Sequence, residues 1–240
     1  TGNTSYLAPI QSMTQIRRKF HSGELTDETK GSEGWCAKKM AGSLRDALAK
    51  LYLVNGAEEY LDVLLKDAGA YLHYRLTQDL TPLTNALANI ERALRSNTES
   101  YTSEVRFTDR LFKFNTRYTN EYVEEPIPSV NSSLLYEMAT GDMGNPLYFP
   151  LPAVQWETPP KNIAVLVEKA DEQNFEAQLY HFGNEERPLS LRLLRIQSQQ
   201  IPWVLECGDI VASEGITKTK DSLAIKIPAK QLCRLQAGEL

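Results

Sequence analysis

Carboxylates are the side chains here best suited to bond-breaking chemistry. Asp62, Asp67, Glu124, Glu125 and Asp142 can each be nominated. Cleaving a glycosidic bond takes two carboxyl groups across a cleft, close in space rather than in sequence. No spacing selects a pair among these five, so the catalytic residues stay unassigned. Most are expected to be solvated charges. His21, His73 and His181 lie far apart, outside any metal-ligand spacing, and nothing points to a histidine-dependent triad. No phosphate-binding loop, dinucleotide fingerprint or nucleophile elbow occurs. The expectation is therefore no metal site and no cofactor.

Two features offer binding chemistry instead. In Thr140-Gly141-Asp142-Met143-Gly144-Asn145, the oxygens of Asp142 and Asn145 could meet a sugar hydroxyl or calcium. The stretch lacks the repeated oxygen ligands of a calcium loop. A tight turn closing a helix, with the glycines at positive φ, is the preferred reading. Sugar rings stack on aromatic faces, and Tyr71, Tyr74, Tyr118, Tyr122, Tyr148 and Trp156 supply such faces. Tyr74 and Tyr122 fall off the main apolar stripes and could face a groove, although packing is the commoner fate of such rings. The binding candidates are thus Tyr74, Tyr122, Asp142, Asn145 and Tyr148.

These residues need elements to position them. Residues 1–34 read as an irregular segment with a short helix near Met13–Phe20. Residues 35–139 read as a helical domain. Met40, Leu44, Leu48 and Leu51 recur at helical spacing, and Asn55-Gly56 breaks the run. Asn55 and Glu58 resemble a capping box opening a helix with Leu61, Leu64, Leu65, Ala68 and Leu72 on one face. Leu80, Leu83, Leu87, Ile90 and Leu94 form the next seam, with Pro82 in its first turn. A further helix is expected from Ser100 to Val123, and a short one from Asn131 to Ala139. Short connections imply antiparallel neighbours, as a hairpin array or bundle.

Residues 140–160, rich in Pro and aromatics, read as a connection packed on both halves. From 161 to 240 the period changes to two. Strands are expected around Ile163–Val167, Phe175–Tyr180, Leu189–Leu193, Trp203–Cys207 and Leu223–Ile227, then a last apolar segment at Leu232–Leu235. A phase slip at Leu194 and Ile196 suggests a β-bulge. The fold class is α+β and multidomain: an antiparallel α-helical hairpin array or bundle, then a small antiparallel β-sandwich.

Composition narrows the partners. Among 240 residues, 42% are hydrophobic and 24% charged, as in globular chains. A net charge of -5 argues against a nucleic-acid partner, and Arg17-Arg18-Lys19 is too short to reverse that. No apolar run approaches the roughly 20 residues of a membrane span. Cys36, Cys207 and Cys233 suit neither a zinc site nor a disulfide scaffold. They read as three buried thiols, with a Cys207–Cys233 bond open if their strands are neighbours.

The layout of residues 35–240 resembles the C-terminal portion of bacterial carbohydrate-active enzymes with an α/α toroid and a terminal sandwich, of the polysaccharide lyase or glycoside hydrolase type. The stretches that carry it are Ala177-Gln178-Leu179-Tyr180-His181-Phe182, a polar turn, Leu189-Ser190-Leu191-Arg192-Leu193 and the closing Ile225-Lys226-Ile227-Pro228. The resemblance implies part of a larger carbohydrate-processing protein, a polysaccharide or oligosaccharide partner, and a sandwich that supports rather than catalyses. It transfers no catalytic residue. It also implies a periplasmic or extracellular location if the chain is a piece of a secreted protein; a complete chain would be cytoplasmic. The alternative is a stand-alone interaction or scaffolding protein that binds a protein partner through its helical half.

Overall fold

The computed structural model describes residues 5, 7–102, 132–144, 149–159 and 161–239. The described residues form six α-helices and two antiparallel sheets, an α+β arrangement. The helix expected over 100–123 and the face around Tyr118 fall mainly outside them.

Helix α1 (Leu7–Ser22) is about twice the length of the helix expected near Met13–Phe20. Its basic run is held by ion pairs, Arg17 to Asp67 at 2.6 Å and Arg18 to Asp62 at 2.7 Å. Helix α2 (Glu33–Asn55) starts where the Ser32 hydroxyl accepts the Trp35 amide, 3.1 Å away. It ends at Gly56, whose φ of 63° lets its amide return to the Tyr52 carbonyl. Asn55 therefore closes α2 rather than capping the next helix. The following 3-10 turn, Glu58–Tyr60, has no side-chain cap.

The helix expected through Leu72 is two helices, α3 (Leu61–Asp67) and α4 (Ala70–Thr77). Ala68 and Gly69 are extended and break it. Helix α5 (Thr81–Thr102) carries Pro82 in its first turn and runs through the break expected after Asn97. Helix α6 (Ser132–Thr140) ends at Gly141, φ 70°. One apolar core unites these helices. Leu44, Leu48, Leu64, Tyr71, Leu83 and Ile90 contribute to it, whereas Leu80 is exposed.

The sheet half has eight strands: β1 (Val154–Trp156), β2 (Ile163–Ala170), β3 (Asn174–His181), β4 (Arg187–Leu193), β5 (Ile201–Cys207), β6 (Ile210–Thr217), β7 (Ser222–Ile227) and β8 (Leu232–Gly238). They are ordered β1-β4-β7 and β2-β3-β8-β5-β6. Inward residues of both sheets, among them Val167, Phe175, Leu191, Leu205, Ile225 and Leu235, share a second core. Strands β1 and β6 were not expected. The bulges also sit elsewhere than Leu194–Ile196, between Val167 and Lys169 in β2 and at Ala212 in β6, opposite Leu205 and Glu206. Cys207 and Cys233 are register partners and form a disulfide, while Cys36 is exposed, so the three-thiol expectation is corrected.

Backbone acceptors join the halves. The Tyr71 hydroxyl donates to the Val167 carbonyl at 2.8 Å, and the Trp156 indole donates to Ala139 at 2.8 Å. Leu166 packs on the helical core and Ala139 on the sheet core.

Candidate functional site

The β2 bulge shapes the helix–sheet junction. Val167 pairs with Ala177 and Lys169 with Glu176, so Glu168 is the extra residue. Its carboxylate accepts the Tyr74 hydroxyl at 3.1 Å and the Gln178 amide at 2.8 Å. Burial, reinforced by the Glu168 charge, pushes the Tyr74 phenol up to about 12, so it donates throughout the neutral range. Tyr74 itself is buried in the helical core.

Next to the bulge lies a groove of about 860 Å³, within the size range of ligand sites. Tyr52, Leu53 and Arg75 wall it from the helices, and Lys169, Arg195 and Ile196 wall it from the sheets. Arg75 is one turn beyond Tyr71 on α4; its Nη1 donates to the Tyr71 hydroxyl at 3.0 Å. Arg195 follows β4, where the chain leaves the sheet, and its Nη1 donates to the Ala170 carbonyl at 3.3 Å. Burial lowers the Arg195 pKa, and the nearby Arg75 charge lowers it further. Two cations are thus held near one another in a partly desolvated wall.

Asp142 lies beside this groove. It is fully buried, ion-paired with Lys50, and accepts the amide of the groove-lining Leu151 at 3.0 Å. Gly141 and Gly144 both have positive φ, as a turn closing a helix requires. On α6, burial pushes the Glu137 carboxyl up to about 7. Asp46 and Asp142 add to that rise, and Arg45 and Lys50 oppose it.

Of the expected binding residues, Tyr74 and Asp142 thus come to the same junction. Tyr122, Asn145 and Tyr148 lie outside the described residues, as do Glu124 and Glu125. Asp62 and Asp67 are paired with arginines of α1. His21 also meets Asp67, at 3.0 Å, His73 faces Thr77, and His181 is buried. Among the described residues no histidine, cysteine and carboxylate cluster could hold a metal, and no helix is long and apolar enough to cross a membrane. Sequence reasoning missed Arg75, Lys169 and Arg195. The broken alternation at Leu194-Arg195-Ile196 was the available signal for the last of them.

No family model matches the chain, and no curated protein matches it. Solved structures overlap it in part. A glycoside hydrolase family 30 endoxylanase from Clostridium papyrosolvens is 11% identical at TM-score 0.28, over 38% of this chain and 25% of its own. A family 30 subfamily 8 xylanase from Clostridium acetobutylicum is 10% identical at TM-score 0.28, over 64% of this chain and 39% of its own. The Rhodobacter sphaeroides complex of SigE with the anti-sigma ChrR gives 13% identity at TM-score 0.20, over 81% of this chain and 96% of that one. The chain spans only a quarter of the first structure's length. Superpositions at this level leave function to be argued from the residues.

Proposed function

We propose that this chain is part of a larger carbohydrate-processing protein and that the junction groove holds a saccharide. In this reading the two sheets form a sandwich that supports the site without catalysing. The carrying observation is the groove itself, walled by both halves, with the partly buried Tyr52 and Leu53 set beside the donors Arg75, Lys169 and Arg195. Such a mixed wall suits a sugar, whose ring faces are apolar and whose edges are polar. The layout resemblance of residues 35–240 supports the same class of ligand. The Cys207–Cys233 disulfide fits a protein that matures in an oxidising compartment.

The test is calorimetric titration of the full chain with a panel of neutral and acidic oligosaccharides. At least one is expected to bind, and Tyr52→Ala is expected to weaken it about tenfold through lost stacking. If no member binds, the saccharide reading fails.

A further inference from the structure

We infer that the groove selects acidic saccharides, with Arg75 and Arg195 together receiving a carboxylate or sulfate group of the sugar. This rests on the saccharide reading above and adds the charge class of the ligand.

The argument is one of partners. Arg17, Arg18, Arg45, Arg192 and Arg234 each have a carboxylate oxygen within 2.8 Å. Arg75 and Arg195 have none among the described residues. Their hydrogen bonds go to neutral oxygens, the Tyr71 hydroxyl and the Ala170 carbonyl. Arg187 also lacks a carboxylate and bonds to the Pro159 carbonyl, but it stands outside the groove.

Two carboxylates, Asp171 and Glu172, line the groove alongside Arg75, Lys169, Arg195 and Lys220, so the cations outnumber the acids there, and the oxygens of the nearby acids take up local donors. Asp142 takes Lys50 and the Leu151 amide. Asp171 accepts the amides of Gln173 at 2.8 Å and Asn174 at 2.7 Å, closing the β2–β3 turn. Glu172 accepts the Gln197 side chain at 3.0 Å. Asp142 and Asp171 temper the field at Arg195 without reaching ion-pair distance.

Like charges confined to one desolvated wall repel, and an anion between them removes that repulsion. A guanidinium presents a planar fork that matches a carboxylate or sulfate with two parallel hydrogen bonds. Each arginine has also been fixed in advance. The guanidinium of Arg75 lies 5.8 Å from the Tyr71 ring centroid, and Tyr71 is anchored on Val167. Arg195 is tied to the end of β2 through Ala170. Lys169, on the same wall, adds charge for neighbouring acidic units along a chain.

The experiment uses the full chain and short oligomers of galacturonate, mannuronate and glucuronate, each with its methyl ester, plus inorganic sulfate and phosphate. Esterification removes the charge and keeps the ring. At least one free acid is expected to bind about tenfold or more tightly than its ester, with affinity falling as salt rises. Arg195→Gln and Arg75→Gln are each expected to bring the affinity for the free acid down to that for its ester, erasing the preference. Arg195→Lys keeps the charge without the fork and is expected to restore only part of the preference. Unchanged circular dichroism and melting temperature establish that each variant is folded, and Lys226→Gln, on β7 outside the groove, is the charge control. Equal affinity for acid and ester overturns this inference alone. An acid preference that survives both arginine substitutions also overturns it. Inorganic sulfate or phosphate binding as tightly as the oligomers overturns the sugar assignment of the arginine pair. Silence from every saccharide removes the underlying reading as well.

Discussion

At the scale of single residues, burial sets charge states that local sequence does not reveal. Glu137 is the clearest case, because its carboxyl titrates near 7 in the fold and about 4.5 in an ordinary setting. Between those values the folded chain keeps a proton that the unfolded chain releases. Stability therefore falls as pH rises through this window and is lowest above it. Glu137→Gln should abolish that fall and stabilise the protein at pH 8 by on the order of 2 kcal/mol. Urea midpoints measured across the window check this, and a parallel pH dependence in both proteins would refute it. Asp142 shows how residue-scale reading can find a position and not its partner. The glycine-flanked Asp stood out in sequence, but the ammonium that neutralises it belongs to Lys50, 92 positions away. No window along the chain contains that pair. The Arg75 and Arg195 juxtaposition was hidden for the same reason.

At the scale of elements, periodicity worked where one face is buried and failed where that condition lapsed. Strands β3, β4, β5 and β7 alternate between buried and more exposed positions, and their residues were legible as strands. Strand β6 has no buried residue, so its sequence carries no alternation to detect. Strand β1 has three residues, too few for a period to register. The α3–α4 break was missed because Leu61, Leu64, Leu65, Ala68 and Leu72 keep helical spacing across an extended Ala68-Gly69. The turn after α6 was legible, because glycines are the residues that accept positive φ cheaply. Gly141 has a second duty. A Cβ there would lie 2.8 Å from a Val167 methyl carbon, at the contact between helices and sheet. Gly141→Ala should cost about 2 kcal/mol or more, from strain and crowding together. Denaturant unfolding measures it, and a cost under half of that would mean the junction yields locally.

At the scale of the whole molecule, two apolar cores meet along a seam of hydrogen bonds and side-chain packing. The change from helical to two-residue period after residue 160 reflects that each half needs its own buried face, although β1 of the sheet half already lies before it, at Val154–Trp156. How the halves dock was not legible, since the seam depends on Tyr71 meeting Val167 and Trp156 meeting Ala139. Within the sheet half, the Cys207–Cys233 bond joins β5 to β8 across a separation of 26 residues. By loop-closure entropy it should contribute about 3 kcal/mol. Reduction by a strong thiol, or the Cys207→Ser/Cys233→Ser double variant, should lower the urea midpoint accordingly. A midpoint that does not move would remove the bond from the account of stability.

The order β2-β3-β8-β5-β6 also gives the larger sheet a direction. Its β2 side is occupied by the helices, through Tyr71 at Val167 and Leu166 in the helical core. Its β6 side pairs only with β5 among the described residues, and Ile210 and Ile216 stand 71% and 68% exposed there. A strand offers its outer amides and carbonyls to whatever extended backbone comes alongside. Among the described residues, extension of the larger sheet is open beside β6, on the side opposite the helices.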